Sequence, residues 1–425
     1  MHELRRRAML DVPGFSSYLL SRSLNMFGAS MAPVALAFAL LRTTGSASTL
    51  GLVLAAQTVP QVLLLVVGGA IGDRAPRKTI MIATNLGMAF SQAATAVLLI
   101  SRNADLVLLL ILQALWGIGR AFFTPANTGV VPDLVPAERI QDATALVTLS
   151  RSIAFICGPA VAGGLIVVWN PGFVVLGDAL LFLVSAALLT RLPRRQPTAE
   201  AEESLRQSLV TGWREFAARS WVWSMVSSFG FYQGIVRPAI FVIGPVLAAG
   251  EDGIGASAWG LVIAAQGVGS VLGSLLLFWW RPSRPLLVSN LIVCLDSLFL
   301  LGLALAFGFE PLAVLALLGA IGVTVADALW LSTLQREIPS DALSRISSYE
   351  WIGSLALNPL GMAATGLLVT VVRPTTILVI AAVANIVVRA LVMIAPGVRK
   401  IGKSGRTKGE RAGVGIPDPI ADAHS

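Results

Sequence analysis

The sequence predicts an all-α membrane protein, with twelve transmembrane helices in two pseudo-symmetric six-helix halves. Three observations carry that expectation. Of 425 residues, 56% are hydrophobic and only 13% charged, against roughly a quarter charged in a soluble domain. The apolar residues are gathered into long runs, many exceeding the ~18–20 residues that cross a hydrocarbon core as a helix. Short segments of the first half also return in the second.

The runs predict spans over residues 15–41, 47–71, 79–101, 105–130, 141–168, 172–191, 221–248, 256–280, 286–308, 311–334, 345–371 and 375–396. Residues 1–14 form a short basic lead. The apolar stretch that follows is too long for a signal-peptide core, so it reads as an uncleaved first span. With the N-terminus inside, Arg42, Arg102 and Arg373 are the only three of the 31 basic residues left outside; five lie within spans and the other 23 are cytoplasmic. The positive-inside rule therefore places both termini in the cytoplasm.

Residues 15–191 and 221–396 form the two halves, joined by a connector over 192–220. That connector opens basic, turns acidic at Glu200, Glu202 and Glu203, and ends with Leu205, Leu209, Trp213 and Phe216 at helical spacing. Arg206, Arg214 and Arg219 stand between them, the pattern of a helix lying at the cytoplasmic interface. The tail over 397–425 is polar and rich in Gly and Pro, and is expected to be disordered.

The internal repeat has three parts. Gly51–Gln57 (GLVLAAQ) returns as Gly260–Gln266 (GLVIAAQ), an offset of 209. Leu134–Glu138 returns as Glu337–Asp341, an offset of 203, and Gly319–Gly322 sits at that same offset from the Gly117/Gly119 region. Two parallel six-helix halves with a site between them are the symmetry expected of an alternating-access carrier.

Several function classes are excluded. The net charge of +8 forms no basic stripe interleaved with aromatics, so nucleic acid is not a partner. Cys157 and Cys294 have no metal-ligand spacing, and His2 and His424 lie at the extremes, leaving no histidine relay or metal site within the membrane. No cofactor is implied. Without a histidine, no nucleophile–base pair can be assembled in the spans, so an enzyme is not expected. No phosphate-binding loop of the G-x-x-x-x-G-K-[ST] type occurs, which removes ATP as the direct energy source.

Between spans two and three lies Gly69-Ala-Ile-Gly72-Asp73-Arg74-Ala-Pro-Arg77-Lys78. The two glycines allow close helix approach, and Asp73 suits a neighbouring helix N-terminus. This loop resembles the G-x-x-x-D-R-x-x-R-K signature of the major facilitator superfamily. The resemblance implies a conformational lock between the halves at the cytoplasmic face, made by Gly69, Gly72, Asp73, Arg74, Arg77 and Lys78. The corresponding second-half loop, residues 281–285, lacks the aspartate and glycines. In span five, Gly158, Pro159, Gly163 and Gly164 resemble that family's antiporter motif, G-P-x-x-G-G, which implies efflux. Ala162 stands at the first of its paired glycines, and Ala154 where an upstream glycine is often seen. Span four has Gln113 where the drug-antiporter pattern has an arginine. Its Gly119-Arg120-Ala-Phe-Phe-Thr-Pro125, with Val131-Pro132-Asp133 following, is similar to the enterobactin-exporter and macrolide-efflux branch.

Ionisable residues inside spans are costly and face a cavity or a partner. They are Arg22, Arg120, Arg151, Asp178, Arg237, Asp296, Asp327, Glu350 and Arg389. In the resembled fold, spans three, six, nine and twelve are peripheral, so Asp178, Asp296 and Arg389 are expected to pair structurally. Arg120 and Arg151 on the first half, with Asp327 and Glu350 on the second, are candidates for a cytoplasmic gate. Their attraction would hold the inner side closed, and protonating either acid would release it. The alternative is that each arginine satisfies a helix C-terminus or a lipid phosphate. Substrate-cavity candidates are Arg22, Asn25, Gln57, Trp116, Tyr232, Gln233, Gln266 and Trp330, a set better suited to an amphipathic molecule than to a free sugar.

The function expected is proton-coupled efflux of a drug-like or siderophore-like small molecule, by a monomer in the lipid of the cell membrane. Nutrient uptake by the same fold, a lipid-flipping role and a non-transport membrane receptor stay open beside it.

Overall fold

Each apolar run folds as a helix because a bilayer offers backbone N–H and C=O groups no partner outside the segment itself. The computed structural model describes residues 12–103, 105–136, 139–193, 213–214, 216–338, 346, 349–350 and 352–401. The membrane helices are α1 (Phe15–Thr44), α2 (Ala47–Arg74), α3 (Arg77–Ile100), α4 (Leu106–Thr128), α5 (Ile140–Val168) and α6 (Pro171–Leu189). The second half contributes α7 (Ser220–Ala249), α8 (Gly255–Trp279), α9 (Pro285–Ala304), α10 (Phe309–Glu337), α11 (Ile352–Leu368) and α12 (Pro374–Ile394). Eleven are long and apolar enough to cross a membrane, and α11 is a shorter apolar helix. No strand occurs among the described residues. The chain is a multi-pass membrane protein.

Local chemistry sets the helix ends. Asp105 caps α4 by accepting from the Leu108 N–H at 3.0 Å, and Asn170 caps α6 by accepting from Gly172 at 2.8 Å. Pro171, Pro285 and Pro374 occupy first turns, where no N–H is required. Gly45, in the left-handed region at φ 64°, ends α1 with its N–H on the Leu41 carbonyl.

Within the first half, α1 packs on α5 and α6, α2 on α4, and α3 on α4 and α6. The second half repeats this, with α8 on α10 and α9 on α10 and α12. Buried polar clusters follow the same symmetry. Asn25 donates to Asn85 at 3.1 Å and Asn85 to Ser185 at 2.9 Å, tying α1, α3 and α6. In the second half Arg389 donates to Ser228 at 3.1 Å and Asn290 at 3.3 Å, tying α7, α9 and α12. Position 25 thus answers to 228, 85 to 290 and 185 to 389. Interhelical hydrogen bonds in lipid contribute roughly 0.6–2 kcal/mol each and pin helix register.

The halves meet through two helix pairs, α2 with α11 and α5 with α8. Both pairs close on the face opposite the chain termini. Gly51 packs against Met362 and Gly366, and Gly163 against Ala256 and Gly260, with no room for a side chain. Towards the terminal face the pairs diverge, and Asp327 and Arg151 are exposed. The conformation is sealed on the far side.

One expectation changes at the element level, and another falls largely outside the described residues. Gly69 to Arg74 belong to the last turns of α2 rather than to a loop, and the connection to α3 is only Ala75 and Pro76. Of the expected interfacial helix, residues 194–212 and 215 lie outside the described residues, as do 402–425 of the tail. Trp213 stacks on Phe216 at 5.8 Å and meets Tyr349 at 5.7 Å, so the end of the connector docks on the second half.

Candidate functional site

A cavity of about 400 Å³ lies between the halves, walled by α1, α2, α4 and α5 on one side and α7 to α11 on the other. Its surface is mostly apolar, with a few polar groups, which is the composition of a small-molecule site. Gln57, Trp116, Tyr232 and Gln266 stand on the wall.

The shape of α7 positions the second-half wall. Two π-helical turns, Tyr232–Val236 and Ala239–Ile243, flank Arg237 and Pro238. Proline removes a backbone donor, and π-turns inside helices recur at functional sites. The result presents Tyr232, Arg237, Ile240, Phe241 and Pro245 from one helix to the cavity. The Arg237 guanidinium lies over the Phe241 ring, 4.7 Å from its centroid, and its Nε is buried without a hydrogen-bond partner. Tyr232 donates to Asp296 Oδ2 at 2.7 Å, drawing that α9 carboxylate to the wall, while Gly319 of α10 makes room for its other oxygen.

On the first half an amide chain leads away from the cavity. Gln57 donates to Gln113, which donates to Gln92 at 3.3 Å and Thr95 at 2.8 Å. Gln92 donates to Asp178 Oδ2 at 2.7 Å, and Asp178 Oδ1 is buried without a partner. The glutamine in place of the drug-antiporter arginine is therefore a link between the cavity and a buried carboxylate.

Other candidates fall elsewhere. Asn25 is 1% exposed and bound to Asn85, so it is a packing residue and not a substrate contact. Trp330 is buried against Trp221, centroids 5.7 Å apart, with its indole N–H on Glu350 at 3.3 Å; it too is off the cavity. Neither Arg22 nor Gln233 lines the wall; Arg22 lies over Phe123, 5.6 Å from the ring centroid. Asp178 and Asp296 accept from neutral donors rather than pairing with a cation, because a glutamine and a tyrosine are the groups within reach. Arg389 likewise holds neutral partners.

The gate candidates form no ion pair with one another in this conformation among the described residues. Arg120 seats on Trp116 and Arg151 on Phe155, each 5.6 Å from the ring centroid and one helical turn away. Glu350 accepts from Trp330 and from Ser354. Since the halves are parted at that face, the pairing expected of a closed inner side has no occasion to form.

In the signature segment only part of the expected lock is described. Arg77 bonds the Gly129 carbonyl and Asp133, both at 2.7 Å, and Lys78 bonds the Thr190 and Leu192 carbonyls. None of the four partners lies in the second half, so in this conformation these two cations clamp α3 to the ends of α4 and α6. The side chains of Asp73 and Arg74 lie outside the described ones. In the antiporter-type motif, Gly158 admits Ser30 of α1, whose hydroxyl donates to the Ala154 carbonyl at 2.7 Å. Gly163 closes the α5–α8 seam, whereas Gly164 faces open space.

Sequence reasoning counted Arg237 among the intramembrane charges without giving it a role, and set Asp296 aside as peripheral. The Arg237-Pro238 step was the available signal, since a proline beside a charge within a span marks an irregular, cavity-facing turn.

Two helical halves closed over a central cavity on one face and parted on the other define a membrane carrier. The sequence profile of the Major Facilitator Superfamily matches residues 18–353, and the chain belongs to that family. Relatives include an uncharacterized MFS-type transporter, y4rN, of Sinorhizobium fredii, 26% identical over 87% of this chain and 91% of its own length. The enterobactin exporter EntS of Shigella boydii is 26% identical over 85% and 86%. Macrolide efflux protein A of Streptococcus pyogenes is also 26% identical, over 42% of this chain and 45% of its own. Among solved structures, a bacterial homologue of ferroportin in an inward-facing state superposes with a TM-score of 0.68 at 15% identity, covering 90% of this chain and 99% of that one. The nucleoside transporter NupG gives 0.72 at 12% identity, over 90% and 100%. The protein is a transporter of this superfamily.

Proposed function

We propose that the protein exports an amphipathic small molecule from the cell by alternating access, driven by proton exchange. It works as a monomer in the cell membrane with both termini cytoplasmic. The observation that carries this reading is the mainly apolar cavity between the halves, sealed on the far face and parted on the face of the termini. With the termini inside, that is the state in which an exporter loads. The efflux relatives named above and the span-five glycine–proline motif support the direction. The surplus of lysine and arginine in the segments assigned to the cytoplasm supports the orientation.

The test is accumulation of a fluorescent amphipath in cells expressing the protein, with and without a protonophore. An exporter keeps the dye out until the gradient collapses, and accumulation then rises to the level of cells lacking the protein. Accumulation above that control before collapse would instead establish uptake, which the same cavity would serve.

A further inference from the structure

We infer that the cargo is an organic anion, its acidic group received by Arg237 and its apolar body by the surrounding wall. This rests on the reading of the cavity as the cargo site. The wall holds two ionisable groups besides Tyr232, Arg237 and Asp296, and they are presented differently. Asp296 is 2% exposed, one oxygen taken by the Tyr232 hydroxyl and the other set against Gly319. Its carboxylate is thus largely covered and already holds a donor. Arg237 has no ion pair within 4.0 Å and no side-chain hydrogen bond among the described residues, and its Nε is buried and unpartnered.

That Nε has lost water without gaining an acceptor, which is costly for a buried polar group, and the rest of the half-buried guanidinium holds no side-chain partner among the described residues. The Phe241 ring against it seats a cation but accepts no N–H in its plane. The planar donor fork is therefore held ready for a carboxylate or another planar acidic group, which such a fork meets with two parallel bonds. The two π-turns on either side of Arg237 keep this part of α7 turned into the cavity. Phe155, Phe241, Ile263 and Met362 supply the apolar remainder of the wall.

The test is binding to the purified full-length protein in detergent of two fluorescent amphipaths of one shape, pyrenebutanoate and pyrenebutyltrimethylammonium. The expected result is at least tenfold tighter binding of the carboxylate. Arg237→Gln removes that preference, Arg237→Lys keeps part of it, and Thr324→Trp, which fills the cavity, abolishes binding of both. Equal binding of the two probes, no binding of the carboxylate, or a preference that survives Arg237→Gln overturns the anion assignment. Binding of both that survives Thr324→Trp overturns the cavity reading beneath it. Should Arg237→Gln fail to fold, as seen by gel filtration, the wild-type preference and its reduction in Arg237→Lys decide the matter.

Discussion

Gly163 and Gly164 are adjacent in one motif, yet leucine at each should act in opposite ways. A Cβ on Gly163 would lie 2.7 Å from the Ala256 carbonyl oxygen and 3.1 Å from the Cα atoms of Ser257 and Gly260. Carbon atoms pack at about 3.5–4.0 Å, so the seam must part by roughly half an ångström for a methyl group, and further for leucine. All three obstacles are backbone, which cannot rotate aside. Overpacking of this kind costs about 1–3 kcal/mol, and it falls on the conformation in which α5 and α8 touch at the far face. At 1.4 kcal/mol per factor of ten, the balance between sealed and far-side-open states shifts by roughly fivefold to a hundredfold. Gly164 has nothing within 4 Å of the same position, so Gly164→Leu should be silent. The measurement is the spin-label distance between Thr44 and Asp252, each replaced by cysteine, with Cys157 and Cys294 changed to alanine. Gly163→Leu should enlarge the long-distance population while Gly164→Leu leaves it unchanged. Equal effects from the two, or none from Gly163→Leu, would refute the assignment of this seam as the far-side seal.

Three further outcomes are expected. Asp178→Ala leaves the fully buried Gln92 amide without its acceptor and should lower stability by about 1–3 kcal/mol in thermal unfolding, while Asp178→Asn, which keeps an acceptor oxygen, should cost much less. Asp133→Asn removes an ion pair whose partners are each 35% exposed, so the change should stay below about 1 kcal/mol and shrink further in high salt. Tyr232→Phe frees an oxygen of Asp296 to the cavity, adding an unpaired anion beside Arg237; it should weaken pyrenebutanoate binding several-fold and leave gel filtration unchanged.

Much of the fold is legible in the sequence because a bilayer demands internal hydrogen bonding and enough apolar length to cross it, both of which are local properties. The twelve runs, the break into halves and the glycine-rich seams all follow from such local signals. Gln57 and Gln266 could be placed on the wall because they end the repeated segment. Asn25 could not be separated from them, as a polar residue on α1 faces a cavity or a neighbouring helix according to rotation alone, and here it faces Asn85. Trp330 was misplaced for the same reason, and the clamp by Arg77 and Lys78 required the positions of Gly129 and Thr190, over fifty and a hundred residues away.

The sequence by itself determined that this chain spans a membrane as two related bundles and belongs among superfamily carriers, since hydropathy, repeat and signature are written residue by residue. Only the tertiary structure decided which charges are presented and which are held back. Arg237 and Asp296 are both isolated charges within apolar runs. One is left open to the cavity and the other is tied to Tyr232 because two π-turns set the direction of α7, and helix rotation is a property of packing that no single span encodes.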